Sequence, residues 1–189
     1  MTRQLDARAR RSQDALLKAG LELLNINSEA TLSDIAAHAG VGRATLYRQY
    51  ETREKLIHAI AVDCLETIDR VTAPIENQAT SAMDAVRLLF ELVMPLTQEF
   101  QFLIGLDQIE QDNAEIDEIS QKQKQEMSEI VEYGKTKGEI SQELPTSWVI
   151  NLIEGLFYIG WLQQTNEGFS AKDAAKLAFS TFSQGVSSR

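Results

Sequence analysis

One cysteine, Cys64, stands alone in a chain of 189 residues, so no internal disulfide can form. That usage fits a reducing cytoplasm. The two histidines, His38 and His58, have no cysteine, histidine or acid at a recognisable ligand spacing, so no metal and no other cofactor is expected. G-x-S-x-G, a Walker loop and a dinucleotide fingerprint are all missing, and catalysis is not expected. Cys64 falls on an apolar stripe, where a core role outweighs a nucleophilic one. No apolar run reaches the ~18 residues that a membrane helix needs. The opening M-T-R-Q-L-D-A-R-A-R-R lacks the apolar core of a secretory signal. Internal repeats and alternating strand patterns are absent as well.

What is present is a helical chain of uneven charge. Hydrophobic residues make up 43%, enough for a sizeable core. The formal net charge is −10. Residues 1–55 hold nine Lys and Arg against seven Asp and Glu, a balance of +2, which leaves −12 for the rest. A slightly basic head thus precedes an acidic body. The body's charge has two readings, orienting the head toward a polyanion or simply keeping the chain soluble.

The head is organised around Thr31 to Tyr50, T-L-S-D-I-A-A-H-A-G-V-G-R-A-T-L-Y-R-Q-Y. Thr31 is a good N-cap, and Asp34 stands where a capping box places its acid. Leu32, Ile35, Ala36 and Ala39 share a helical face. Gly40-Val41-Gly42 stops that helix, because glycine takes the left-handed conformation other residues resist. A second helix from Arg43 buries Leu46 and Tyr50 and leaves Arg43, Ala44, Thr45 and Arg48 outside. Two short helices about a glycine turn are the helix-turn-helix arrangement, whose second helix enters the major groove of DNA. A helix from about Arg11 to Asn25 braces the pair. Residues 1 to about 10 read as an irregular arm in which Arg8, Arg10 and Arg11 either reach phosphate or lie in solvent. Thr52 opens a helix that runs to about Thr72, with Ile57, Ile60, Cys64, Ile68 and Val71 as its stripe, and Pro74 ends it.

The body reads as five further segments. One begins near Thr80 and stops at Pro95. Phe100–Leu106 is short and apolar. A polar helix covers about Asn113 to Gly134. Trp148 to Gln164 is apolar almost all round and needs cover on more than one side. Ala171 to Gln184 offers Ala174, Ala175, Ala178 and Phe182 as a packing face. The fold expected is all-α, with about nine helices.

Over Thr31–Leu56 the chain resembles the TetR family of transcriptional regulators. The shared pattern is T-x-x-x-I-A-x-x-A-G-V-S-x-x-T-L-Y-x-H-F-x-S-K-E-x-L. Thr31, Ile35-Ala36, Ala39-Gly40-Val41, Thr45-Leu46-Tyr47, Glu54 and Leu56 stand in register. Gly42 replaces serine, which weakens the recognition-helix cap. Gln49 replaces histidine at a phosphate contact, and Tyr50, Thr52 and Arg53 replace Phe, Ser and Lys.

The resemblance implies a homodimer that reads a near-palindromic operator in double-stranded DNA and answers to a small-molecule effector. It divides the chain into a DNA-binding domain, 1–55, whose coupling helix continues to about 72, and a ligand-binding and dimerisation domain, 56–189. The DNA-contacting set is Thr31, Ser33, Arg43, Ala44, Thr45, Tyr47, Arg48, Gln49 and Arg53, with Arg43 as base reader and Arg53 as phosphate contact. The ligand set is Phe90, Glu91, Met94, Phe102, Trp148, Phe157, Tyr158 and Trp161. Glu91 and Glu154 lie in apolar helices, where each either faces solvent or meets a cationic ligand. The dimer face implied is Leu152, Leu156, Ile159, Gln163, Ala175, Ala178 and Phe182. The expected activity is repression released by an apolar or amphipathic molecule. Two rival readings keep DNA binding: control by a protein partner over a solid body, and activation instead of repression. A third, an enzyme using an aromatic cavity, finds no catalytic constellation.

Overall fold

The computed structural model describes residues 2–106 and 113–187. These are all-α: nine helices of seven residues or more and one four-residue turn, with no strand among the described residues. In order they are α1 (Thr2–Ile26), α2 (Leu32–His38), α3 (Arg43–Gln49), α4 (Arg53–Thr72), α5 (Ile75–Gln78), α6 (Ala82–Val93), α7 (Thr97–Leu106), α8 (Ala114–Thr136), α9 (Thr146–Glu167) and α10 (Ala171–Val186).

The chain forms two compact units. The first joins Met1–Glu66 to Gln98–Asp112, and the second joins Thr67–Thr97 to Asn113–Arg189. Helix α4 begins in the first and ends in the second.

In the first unit α1, α2 and α3 pack on one another. Their core is Leu16, Ala19, Leu24, Ile35, Ala36 and Leu46, joined by Leu56, Ile57 and Ile60 of α4. Gly20 permits a close approach: a Cβ there would stand 2.5 Å from Ile60 Cδ1. The irregular arm expected at residues 1–10 is instead helix, since α1 begins at Thr2. That stretch has no proline, so nothing in it breaks the helix. The Arg8 side chain lies outside the described residues. Helix α7 is fastened to the end of α1 by two amides. Asn25 Nδ2 donates to the Gln98 carbonyl at 2.9 Å, and Gln101 Nε2 donates to the Asn25 carbonyl at 3.2 Å.

In the second unit α10 packs on α9 and α6, and α8 packs on α9 and α6. Phe90 is central. Its ring centroid lies 4.9 Å from that of Phe157 and 6.3 Å from that of Phe182, tilted and edge-on, as aromatic quadrupoles prefer. Pro95 ends α6, as its missing N–H requires. Ser81 and Ser170 cap α6 and α10 by accepting from the backbone N–H groups of Asp84 and Asp173, each at 3.1 Å. The last turns of α4 are tied to α8 through Asp69, which accepts from Gln123 at 2.7 Å and faces Lys122 at 3.8 Å.

Candidate nucleic-acid interface

The helix pair is built by its caps. Thr31 and Asp34 form a capping box: the Asp34 N–H donates to Thr31 Oγ1 at 3.2 Å, and the Thr31 N–H donates to Asp34 Oδ2 at 2.9 Å. The Thr31 hydroxyl adds a 2.6 Å bond to the same carboxylate. These bonds hold the Asp34 carboxyl below its usual range, helped by the charge of Arg43. Gly40 ends α2 at φ +65°, a conformation that costs a residue with a Cβ about 1–2 kcal/mol. Gly42 starts α3 with no side-chain cap, leaving orphan N–H groups at the head of the recognition helix.

Helix α3 buries Leu46, and Tyr50 beyond its end is buried as well. Its other face carries Arg43, Ala44, Tyr47 and Arg48 into solvent, with Tyr47 49% exposed. Thr45 is half-buried, as is Ser33 on α2, while Thr31 is exposed. These seven expected contacts lie on α2, α3 and the cap between α1 and α2. Gln49 and Arg53 are turned elsewhere. Gln49 Nε2 donates to the Ala9 carbonyl at 3.2 Å, and its Oε1 is enclosed. Arg53 Nε donates to the Ala30 carbonyl at 3.1 Å, and its Nη2 donates to the Ser28 carbonyl. Both expected DNA contacts face the protein.

Sequence spacing did not reveal one further pair in this unit. His38 Nε2 lies 3.1 Å from Glu22 Oε2, sixteen positions away in the chain. The two line an open cleft of about 380 Å³ with Asn25, Ile26, Gln98 and Gln101. Among the described residues no three His, Cys, Asp or Glu come together as a metal site.

The expected ligand set is divided between the units. Phe102 belongs to the first, and the other seven residues to the second. Phe90, Met94 and Phe157 are buried, and the Tyr158 and Trp161 ring centroids lie 5.7 Å apart with the rings tilted at 38°. Trp148 is 63% exposed. Glu91 and Glu154 are both exposed, so neither is a buried carboxylate awaiting a cation. Glu91 accepts from Arg87 at 2.8 Å instead.

The expected dimer face needs correction at four positions. Leu156, Ala175, Ala178 and Phe182 are buried within the chain's own core, so they have no free surface for a partner. Leu152 and Gln163 are half-buried. Ile159 is exposed at 53%, as is Leu177 on α10.

A capped helix pair with its second helix bare on one side, set in an all-helical chain, defines a helix-turn-helix protein. Residues 16–60 match the model of bacterial regulatory proteins of the tetR family. Over 99 residues the chain is 32% identical to an HTH-type transcriptional regulator of Bacillus subtilis, YxbF, covering 50% of this chain and 26% of that one. Over 51 residues it is 45% identical to the HTH-type transcriptional repressor LfrR of Mycolicibacterium smegmatis, covering 27% of each. The matched stretches thus span about a quarter of these relatives. The fold is shared far more widely. A TetR family transcription regulator from Marinobacter aquaeolei superposes with a TM-score of 0.82 at 19% identity, over 97% of this chain and all of that one. LfrR in complex with proflavine gives 0.78 at 21% identity, over 95% and 98%. Residues 16–60 are thus similar to the tetR-family model, and the chain shares the fold of solved TetR regulators. No helix among the described residues is long and apolar enough to cross a membrane.

Proposed function

We infer that this protein is a cytoplasmic, DNA-binding transcriptional repressor, acting as a homodimer on a near-palindromic operator and released by a small apolar or amphipathic molecule. The observation that carries the reading is the bare face of α3. Arg43, Ala44, Tyr47 and Arg48 project together from a helix whose opposite face is locked by Leu46. Arginine can bond both major-groove acceptors of guanine, Ala44 permits close approach, and Tyr47 and Arg48 reach phosphate. Thr31, Ser33 and Thr45 flank them. We keep residues 1–55 as the DNA-binding domain, with α4 as the coupling helix.

Dimerisation is supported by the apolar side chains that α9 and α10 leave in solvent. Trp148 and Ile159 on α9 and Leu177 on α10 are each more than half exposed. A twofold axis between two such faces makes a self-complementary patch. It would set two recognition helices about 34–36 Å apart, one turn of DNA. The effector reading is supported by the aromatic and soft apolar side chains that Phe90, Met94, Phe157, Tyr158 and Trp161 bring to the second unit. It is also supported by likeness in fold to LfrR, whose solved complex holds proflavine. Effector binding shifts the population toward a form whose recognition helices no longer fit successive grooves.

The test is selection from a random-sequence duplex library by the purified chain at about 150 mM salt. A short inverted repeat is the expected yield. Recovery of unrelated sequences with no enriched motif would refute the reading.

A further inference from the structure

We propose that Arg53 and Gln49 are positioning residues that brace the recognition helix from behind, and that neither contacts DNA phosphate. The proposal rests on the DNA-reading function inferred above.

Gln49 is the last residue of α3, and Arg53 is the first of α4. They bracket the turn that carries the recognition helix away from its target. Each reaches back to main-chain carbonyls whose positions are fixed. Gln49 ties α3 to α1 through the Ala9 carbonyl at 3.2 Å, and its Oε1 is enclosed with no hydrogen-bond partner. Arg53 ties α4 to the turn between α1 and α2 through Ser28 and Ala30. That turn is itself closed by the Ala30 N–H bonding the Asn27 carbonyl at 3.1 Å, and it ends at the Thr31 cap. One guanidinium therefore registers the start of α4 against the start of α2.

Residue type supports this assignment. Two carbonyls two residues apart suit a planar fork with several fixed donors. A lysine, which the TetR pattern has here, supplies a single mobile ammonium. A surface phosphate contact would need only the charge. The half-buried Arg53 side chain and its two carbonyl acceptors match the fork.

Arg53→Lys separates the two roles, because it keeps the charge and loses the fork. The chain and its Arg53→Lys and Arg53→Ala variants would be titrated with the inverted-repeat duplex that the wild type selects. Each would also be titrated with a random duplex of equal length, from low to high salt, after melting curves have set a temperature at which all three are folded. Positioning predicts that both variants lose operator affinity by about ten-fold or more, since bonds to a charged group are lost. Random-duplex affinity stays within about two-fold, and the slope of log affinity against log salt is unchanged, because no phosphate partner is removed. A phosphate contact predicts the reverse: a slope smaller by about 0.9 per site in Arg53→Ala, restored in Arg53→Lys. That result, or wild-type operator affinity in both variants, would overturn the proposal. If the wild type selects no repeat at all, the DNA-reading function fails instead, and the two failures are told apart.

Discussion

Phe182 offers a test of what α10 is for. Its side chain is 0% exposed, wedged edge-on against Phe90, which in turn meets Phe157. Phe182→Ala removes a ring from a site closed by three helices, α6, α9 and α10. Such truncations cost about 3–5 kcal/mol, because the walls relax only partly. About 0.5–1.5 kcal/mol of that is the aromatic pairing itself. For a chain of this size each kcal/mol moves the melting midpoint by about 2–4 °C, so the variant should melt roughly 6–20 °C below the wild type. The assay is thermal unfolding by circular dichroism at two protein concentrations about ten-fold apart, with sedimentation velocity on the same samples. A ring inside one subunit lowers the midpoint equally at both concentrations and leaves the association constant unchanged. A ring in a dimer interface makes the loss depend on concentration by mass action. Ile159→Glu, at an exposed position of α9, should do the opposite: it weakens association and spares the fold. A native-like midpoint for Phe182→Ala at high concentration, with a dissociated dimer at low, would refute this account of the core.

Three further outcomes are expected. The Asp34 carboxyl titrates low because Thr31 hydrogen-bonds it; its contribution is therefore present above the ordinary carboxylate pKa and disappears as pH falls through the lowered value, and NMR titration of the Asp34 side chain should show a midpoint below that of a model aspartate. Gly42→Ser supplies the missing cap in open space, with nothing within 4 Å of the new Cβ, and should stabilise the head by a few tenths of a kcal/mol in denaturant titrations, where destabilisation would show α3 to start elsewhere. Burial pushes the Cys64 thiol up to about 12, so at neutral pH a maleimide should label it only in denaturant, and fast labelling of the native chain would place the thiol outside the core.

Local rules made much of the fold readable in advance. Thr31, Asp34 and Gly40 announce the boundaries of α2, because caps and left-handed turns depend on residues a few positions apart. Pro74 and Pro95 likewise mark real ends. Periodicity found α6, α8, α9 and α10, but it gave no sign of the four-residue α5 and marked α7 only as a short apolar segment from Phe100, three residues after its start. Spacing marked Ala178 and Phe182 as a packing face, and the resemblance assigned that face to a second copy; α6 and α9 of the same chain fill it instead, because helical spacing alone cannot say which neighbour covers a stripe. The same limit applies to Gln49 and Arg53. Their residue types suit phosphate, and only the carbonyls of Ala9, Ser28 and Ala30, distant in sequence, draw them inward. Of the two readings of Glu91 the structure fits the solvent-facing one, with Arg87 as its partner one turn away. The Glu22–His38 pair carried no local signal at all.

The two amides of Asn25 and Gln101 have a bearing on synthesis. They hold α7 on the end of α1, although Thr67–Thr97, a stretch of the other unit, is made between them. The first unit is therefore discontinuous along the chain. As the polypeptide emerges, α1 to α3 can pair early through short-range contacts, which form fast. The amide of Asn25 and the carbonyl beside it must then wait in water until residues 98–101 arrive. The unit that carries the helix pair is completed only after part of the other has left the ribosome, so its final assembly is timed by a segment it does not own.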